Sequence, residues 1–176
     1  AIFIYVGVEV AIGSNLSELL KQPQFGGFEA KDAAPYVSMY WGSLMIGRWT
    51  GAVSVFNLKG NMKKLMMIVV PFIAFAVVLS VSKLYGNDVS DLYGYAVFIV
   101  IAIATFFYGQ EKPVKTLMSV SIFAAIAMLI GVFTNGITSV YAFMAGGLAC
   151  SVMWPCIFSL GVGGLGKYTS QGSAFL

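Results

Sequence analysis

Six apolar runs, separated by short polar segments, set the pattern of this 176-residue chain. They lie at about 1–20, 35–56, 65–84, 92–108, 114–133 and 139–161. Each is near the ~20 residues an α-helix needs to cross a bilayer. A mixed loop at 21–34 holds Pro23, Gly26, Gly27, Glu29, Lys31 and Asp32, and Pro35 after it suits the first position of a helix. Lys59, Lys63 and Lys64 gather between the second and third runs, and Pro71 is expected to kink the third. Gly86, Asn87, Asp88 and Asp91 make the next loop, and a tight turn from Gly109 through Gln110 and Glu111 to Pro113 follows the fourth run. Gly163, Gly164 and Gly166 stop the sixth. No charged residue occurs from 116 to 166, so these helices lack the polar stripe that a soluble bundle requires. The pattern predicts an all-α, polytopic transmembrane helical bundle with six visible membrane helices.

Composition agrees. The chain is 59% hydrophobic and 10% charged, against about 25% charged in soluble domains. A net charge of +3 is too small for a polyanion-binding surface. Histidine is absent, which removes His-based catalysis, proton relay and metal ligation. Cys150 and Cys156 lie six apart on different helix faces and read as packing residues. No metal-ligand spacing, cofactor motif, nucleophile elbow or phosphate loop is present, and Gly161–Gly166 follows a helix rather than a strand. Lysine placement sets an orientation: Lys59, Lys63, Lys64, Lys112, Lys115 and Lys167 fall on one side, and Lys21, Lys31 and Lys83 on the other. Positive residues favour the cytoplasm, so the visible N-terminus is expected to be cytoplasmic, in a plasma (inner) membrane.

Against this background a carboxylate inside the first run stands out. Ionisable residues at membrane depth are costly and face a bundle interior or a water-filled cavity. At helical spacing Tyr5, Glu9, Gly13 and Ser17 share a face. Two readings stay open: Glu9 lines a polar cavity and binds a hydroxylated solute, a proton or an ion, or it makes an interhelical bond, protonated or paired with an arginine. In the second run Tyr36, Tyr40, Ser43, Gly47, Thr50, Gly51 and Ser54 form a small and polar stripe, suited to close packing or, at Tyr40 and Ser43, to a cavity wall. Trp41 and Arg48 share a different face, where Arg48 reads as structural or gating. In the sixth run Phe143, Gly147, Ser151, Trp154, Phe158 and Gly161 alternate bulk with gaps, and Pro155 removes a backbone donor. The flat apolar face and single N–H of Trp154 suit a sugar ring.

Three pieces together carry a resemblance: Tyr5-Val-Gly-Val-Glu9 with Ile12-Gly-Ser14; Tyr40-Trp-Gly-Ser-Leu-Met-Ile-Gly-Arg48 with Gly51; and Met153-Trp-Pro-Cys-Ile-Phe-Ser-Leu-Gly161 with Gly164-Leu-Gly-Lys167 and Gly172-Ser173. They resemble the C-terminal half of fucose/galactose/glucose–proton symporters of the major facilitator superfamily. The resemblance implies that residues 1–176 are an incomplete C-terminal transmembrane domain, whose missing N-terminal half supplies the rest of the cavity. Three helices rather than one separate the Gly-Arg helix from the Trp-Pro helix, so about 61–111 reads as an inserted helical hairpin. The implied function is secondary active sugar transport by alternating access, with a small-molecule sugar as substrate, a proton as coupling ion and the lipid bilayer as surroundings. Glu9, Tyr5, Tyr40 and Trp154 are the expected sugar contacts, Glu9 the proton-coupling candidate, and Arg48, Pro155 and Gly147 the gating or structural residues. An exporter of drugs or amphiphiles on the same fold, or a non-transporting membrane scaffold, fits the same pattern. An enzyme does not, because only Glu9 and Arg48 are deep.

Overall fold

A computed structural model describes residues 2–53, 60–109 and 112–174. Ser54, Lys59, Gln110, Glu111 and the last two residues lie outside the described residues. Among the described residues the regular elements are all helical: α1 (Ile2–Leu20), α2 (Ala30–Ala52), α3 (Gly60–Leu84), α4 (Ala96–Gly109), α5 (Pro113–Phe133), α6 (Gly136–Val162) and a short α7 (Thr169–Ser173). Short 3-10 segments sit at Pro23–Phe25, Asp91–Tyr95 and Gly166–Tyr168.

Five stretches are long and apolar enough to cross a membrane: Ile2–Leu20, Gly60–Leu84, Asp91–Gly109, Pro113–Phe133 and Gly136–Val162. The run expected at 35–56 forms α2, but α2 is not among these five, because polar and small residues dilute its hydropathy. It also starts earlier than the sequence suggested. Pro35 lies inside the helix rather than at its first position, and the segment Ala30–Ala34, read as loop, is helical. Two features account for this. Asp32 places a carboxylate in the first turn, at the positive end of the helix dipole. A proline so near the start removes one donor and leaves the upstream turn anchored by the Ala33 N–H on the Glu29 carbonyl at 3.0 Å.

α6 is the hub, touching α1, α2, α4 and α5. From Met144 to Val152 it is buried on every face, as expected of a helix surrounded by others. Ala145, Gly146, Gly147, Ala149, Cys150 and Ser151 keep that stretch slim, so neighbouring backbones come close. The main core gathers Leu16 and Leu20 of α1, Met39 and Tyr40 of α2, Tyr95 and Ile99 around α4, and Val140, Met144 and Leu148 of α6. The outside is apolar as well. Met118, Ile122, Ile126 and Leu129 of α5, Leu65, Ile73 and Val81 of α3, and Phe3, Ile4 and Val10 of α1 are all exposed. A surface of this kind on five membrane-length helices is matched to lipid, and the chain is an integral membrane protein.

Candidate functional site: the Glu9 cluster

The four-residue spacing of α1 puts Tyr5, Glu9 and Gly13 on the side that meets α2 and α6, with Ser17 half-buried one turn further on. Tyr5 and Gly13 are buried there, while the Glu9 side chain keeps 12% of its exposure. Both carboxylate oxygens of Glu9 are engaged. The Tyr5 hydroxyl, one turn back, donates to Oε2. Arg48 of α2 donates from Nη2 to Oε1 at 3.3 Å. The Tyr40 hydroxyl donates to the main-chain carbonyl of Glu9 at 2.7 Å. The sequence left open whether Glu9 pairs with an arginine, and the structure brings Arg48 to it. The Arg48 side chain is 53% exposed, so this ion pair has one foot in the protein and one outside.

Glycines make these approaches possible. A Cβ on Gly13 would stand 2.8 Å from Cζ2 of Trp41 and 2.8 Å from Cε1 of Tyr40. A Cβ on Gly147 of α6 would stand 2.9 Å from the Tyr40 carbonyl oxygen and 2.9 Å from its Cε2. The fully buried Tyr40 ring is therefore clasped between a glycine of α1 and a glycine of α6. Two helical turns along α2, the Ser151 side chain fills the space a Cβ on Gly47 would take. Glu9 meets Arg48 while Gly13 meets Trp41, so α1 and α2 run antiparallel along this seam.

The expected sugar contacts separate into two groups. Tyr5 and Glu9 stand together. Tyr40 lies behind them, buried, with its hydroxyl holding the Glu9 backbone rather than lining open space. The small core that holds Tyr5 takes Cys150, Met153 and Ile157 from α6. Trp154 is the next position around α6, is exposed, and stacks face to face on Phe158, with ring centroids 5.3 Å apart and 11° between planes. Pro155 is exposed and borders a cavity of about 230 Å³ with Thr50, Phe106, Thr116, Cys156 and Ser159. Both cysteines are free thiols. Among the described residues, no group of three or more His, Cys, Asp or Glu side chains is placed to hold a metal ion.

A second polar cluster escaped the sequence reading. Ser43 donates to the Tyr95 hydroxyl at 2.9 Å or to the Met39 carbonyl at 2.7 Å, and Tyr95 donates to the Met144 carbonyl at 3.1 Å. Toward the start of α2, Tyr36 donates to Oδ2 of Asp91 at 3.1 Å, and the Tyr141 hydroxyl of α6 donates to the Asp91 carbonyl. This end opens into a cavity of about 320 Å³ bordered by Lys31, Asp32, Asn87 and Asp88. In the loop there, the backbone N–H and hydroxyl of Ser90 both donate to Asp88, and hold its carboxyl below the usual carboxylate range. The partners in this cluster are 49–55 residues apart, so no short-range spacing could have revealed them.

No protein-family model matches the chain, and no solved structure matches it. Curated relatives do. A glucose/galactose transporter of Brucella abortus biovar 1 (strain 9-941) is 30% identical over 175 residues, which is 99% of this chain and 30% of the relative. The same values hold for the glucose/galactose transporter of a second Brucella abortus strain, 2308. A putative glucose/galactose transporter of Helicobacter pylori strain J99 is 28% identical over the same length. The chain spans about 30% of the length of the curated relatives it matches. The resemblance carried by the motifs around Glu9, Arg48 and Trp154 thus extends along nearly the whole sequence: the chain is a homologue of proteins named glucose/galactose transporter.

Proposed function

We propose that this chain is part of a secondary active sugar transporter that takes up a hexose or fucose-type sugar together with a proton, by alternating access. The observation that carries the reading is Glu9. It is a carboxylate inside a membrane-length helix, oriented by Tyr5 and Arg48 and still partly open, in a chain whose relatives are named for sugar transport. An intramembrane carboxylate marks a solute or ion path by default. Transporters of this kind bind near the midplane between two halves, so an upstream half would complete the cavity. In this reading α2 is the sixth membrane helix. Its polar stripe is matched inside the bundle, by Tyr95, Glu9 and Ser151, which is how a helix of low hydropathy can cross. The 61–111 hairpin is an insertion, the N-terminal end of α1 is cytoplasmic, and the membrane is the plasma (inner) membrane.

Roles follow from placement. Glu9 accepts sugar hydroxyls and is the candidate for proton coupling. Tyr5 shares that contact. Tyr40 is a positioning residue that acts through the Glu9 backbone. Trp154 offers an aromatic surface from α6. Gly147 and Pro155 shape α6 for movement, and Arg48 ties α1 to α2 as part of the gate. The work is transport rather than catalysis. The deciding experiment is uptake of radiolabelled glucose, galactose and fucose by the full-length transporter in proteoliposomes, with an imposed pH gradient, comparing wild type with Glu9→Gln. The reading expects saturable uptake that follows the gradient in wild type and is lost in the variant. Wild type that moves lipophilic cations instead of sugars would replace it with the exporter. Wild type that moves neither would leave a scaffold.

A further inference from the structure

Beyond Glu9, the outward face of α2 carries two residues that the roles above do not use for substrate. We propose that Arg48 and Trp41 contact the sugar directly: Arg48 joins Glu9 as a donor–acceptor pair that reads two neighbouring hydroxyls, and Trp41 is the apolar platform for the ring. This rests on the sugar-transport reading and adds two binding residues to it.

Hydrogen-bond chemistry sets the polar half of the contact. A carboxylate only accepts and a guanidinium only donates, whereas a sugar hydroxyl does both. Glu9 Oε1 and Arg48 Nη2 stand 3.3 Å apart, which is close to the spacing of two adjacent hydroxyl oxygens on a pyranose. One hydroxyl can therefore donate to Glu9 while its neighbour accepts from Arg48. Capacity remains on both sides. A carboxylate offers about four lone-pair sites, and Tyr5 and Arg48 engage one on each oxygen. Arg48 has five N–H donors in a planar fork, and more than half of its side chain is exposed.

The apolar half is placement. Trp41 lies over Gly13, and Gly13 is one helical turn, about 6 Å, from Glu9 on the same face of α1. The indole and the ion pair therefore lie along the same α1–α2 seam, one helical turn apart on α1 and about two turns apart on α2. Trp41 keeps 46% of its surface exposed. Tyr40 packs against it with the ring planes at 84° rather than stacked. Trp154, by contrast, has one face covered by Phe158.

The rival explanation is that an exposed Trp and Arg anchor the helix at the membrane surface. Transport kinetics separate the two. Full-length protein in proteoliposomes is assayed with glucose, galactose and their 2-, 3-, 4- and 6-deoxy analogues. Arg48→Gln is expected to raise KM for the parent sugar about tenfold or more, and KM for the one analogue lacking the hydroxyl it reads by less than about twofold. Trp41→Ala is expected to raise KM for every analogue by about five- to tenfold at unchanged kcat, and Trp41→Phe to recover most of that loss. If Arg48→Gln does not insert, Arg48→Lys keeps the charge beside Glu9 and loses the fork, and is read in the same way. Equal losses across all the deoxy sugars, or an unaltered KM in Trp41→Ala, would overturn the proposal while leaving sugar transport intact. Wild type that moves no hexose at all would remove the transport reading and this inference with it.

Discussion

Helix α2 holds two polar clusters, and they are built in opposite ways. Around Ser43 the cluster is neutral and sealed. Ser43 and Tyr95 are fully buried, and their hydroxyls are answered by each other and by helix carbonyls. Around Glu9 the cluster is charged and half open, with a guanidinium that is 53% exposed. Among the described residues no buried side-chain nitrogen or oxygen lacks a partner, and Ser43 and Tyr95 are closed to solvent. Such a network rigidifies when every member is satisfied. It ties α2 to the start of α4 and to α6. The Glu9 cluster has donors and acceptors left over, and that surplus is what a hydroxylated solute needs. On the proposed transport reading, the difference separates a scaffold from a site within one helix.

The strongest way to break the comparison is to attack what both clusters share, the contact of α2 with α6. Gly147→Val should do so, because its Cβ would meet the Tyr40 carbonyl oxygen at 2.9 Å, and backbone cannot rotate away. The expected cost is about 3 kcal/mol, as for an overpacked core, together with loss of uptake. Thermal unfolding in detergent measures the first and proteoliposome uptake the second. Next in size, Glu9→Gln should cut uptake at least about tenfold while changing stability by less than about 1 kcal/mol, since the ion pair is half exposed and Gln still accepts from Tyr5. A variant that unfolded instead would make Glu9 a structural residue. The mirror experiment is Tyr95→Phe. It removes the bond to the Met144 carbonyl and the acceptor for Ser43, which keeps Met39 as its alternative. About 1 kcal/mol of stability should be lost, and uptake per folded molecule should stay within about twofold of wild type. Uptake that fell as far as in Glu9→Gln would erase the distinction between the two clusters.

How far the sequence exposed all this depends on the range of the contacts. Helices α1, α3, α5 and α6 were legible because hydropathy is local, and their ends fall within a few residues of the apolar runs. The start of α2 was not, because a proline looked like a boundary and the acidic first turn upstream outweighed it. Tyr5 with Glu9 was legible because four residues is one turn. Arg48 with Glu9 was one of two open readings, since 39 residues separate them and only the antiparallel packing of α1 on α2 decides the match. The alternation of bulk and gaps along α6 was legible, but not that Gly13 and Gly147 clasp one tyrosine. Tyr95, Asp91 and Tyr141 were invisible: nothing in an apolar run or a loop announces a partner about 50 residues away.

The smallest effect tests the loop beside the scaffold cluster rather than either cluster itself. Asp88 is exposed and accepts from the N–H and hydroxyl of Ser90 at 2.9 and 2.7 Å, which favours its ionised form in the folded chain. A carboxyl whose folded pKa lies below its unfolded value, about 3.9, stabilises the fold above that value, and the contribution disappears as pH falls through the folded pKa. Asp88→Asn keeps an acceptor for Ser90 and removes only the charge. The melting temperatures of wild type and variant should therefore differ slightly at pH 7 and converge as the pH is lowered below the ordinary carboxylate range, with sugar uptake at neutral pH unchanged. A gap that widened in acid would mean that Asp88 stabilises the loop through its protonated form. A change in uptake at neutral pH would carry the functional region from the Glu9 end of α2 to the loop between α3 and α4, and so collapse the division between site and scaffold.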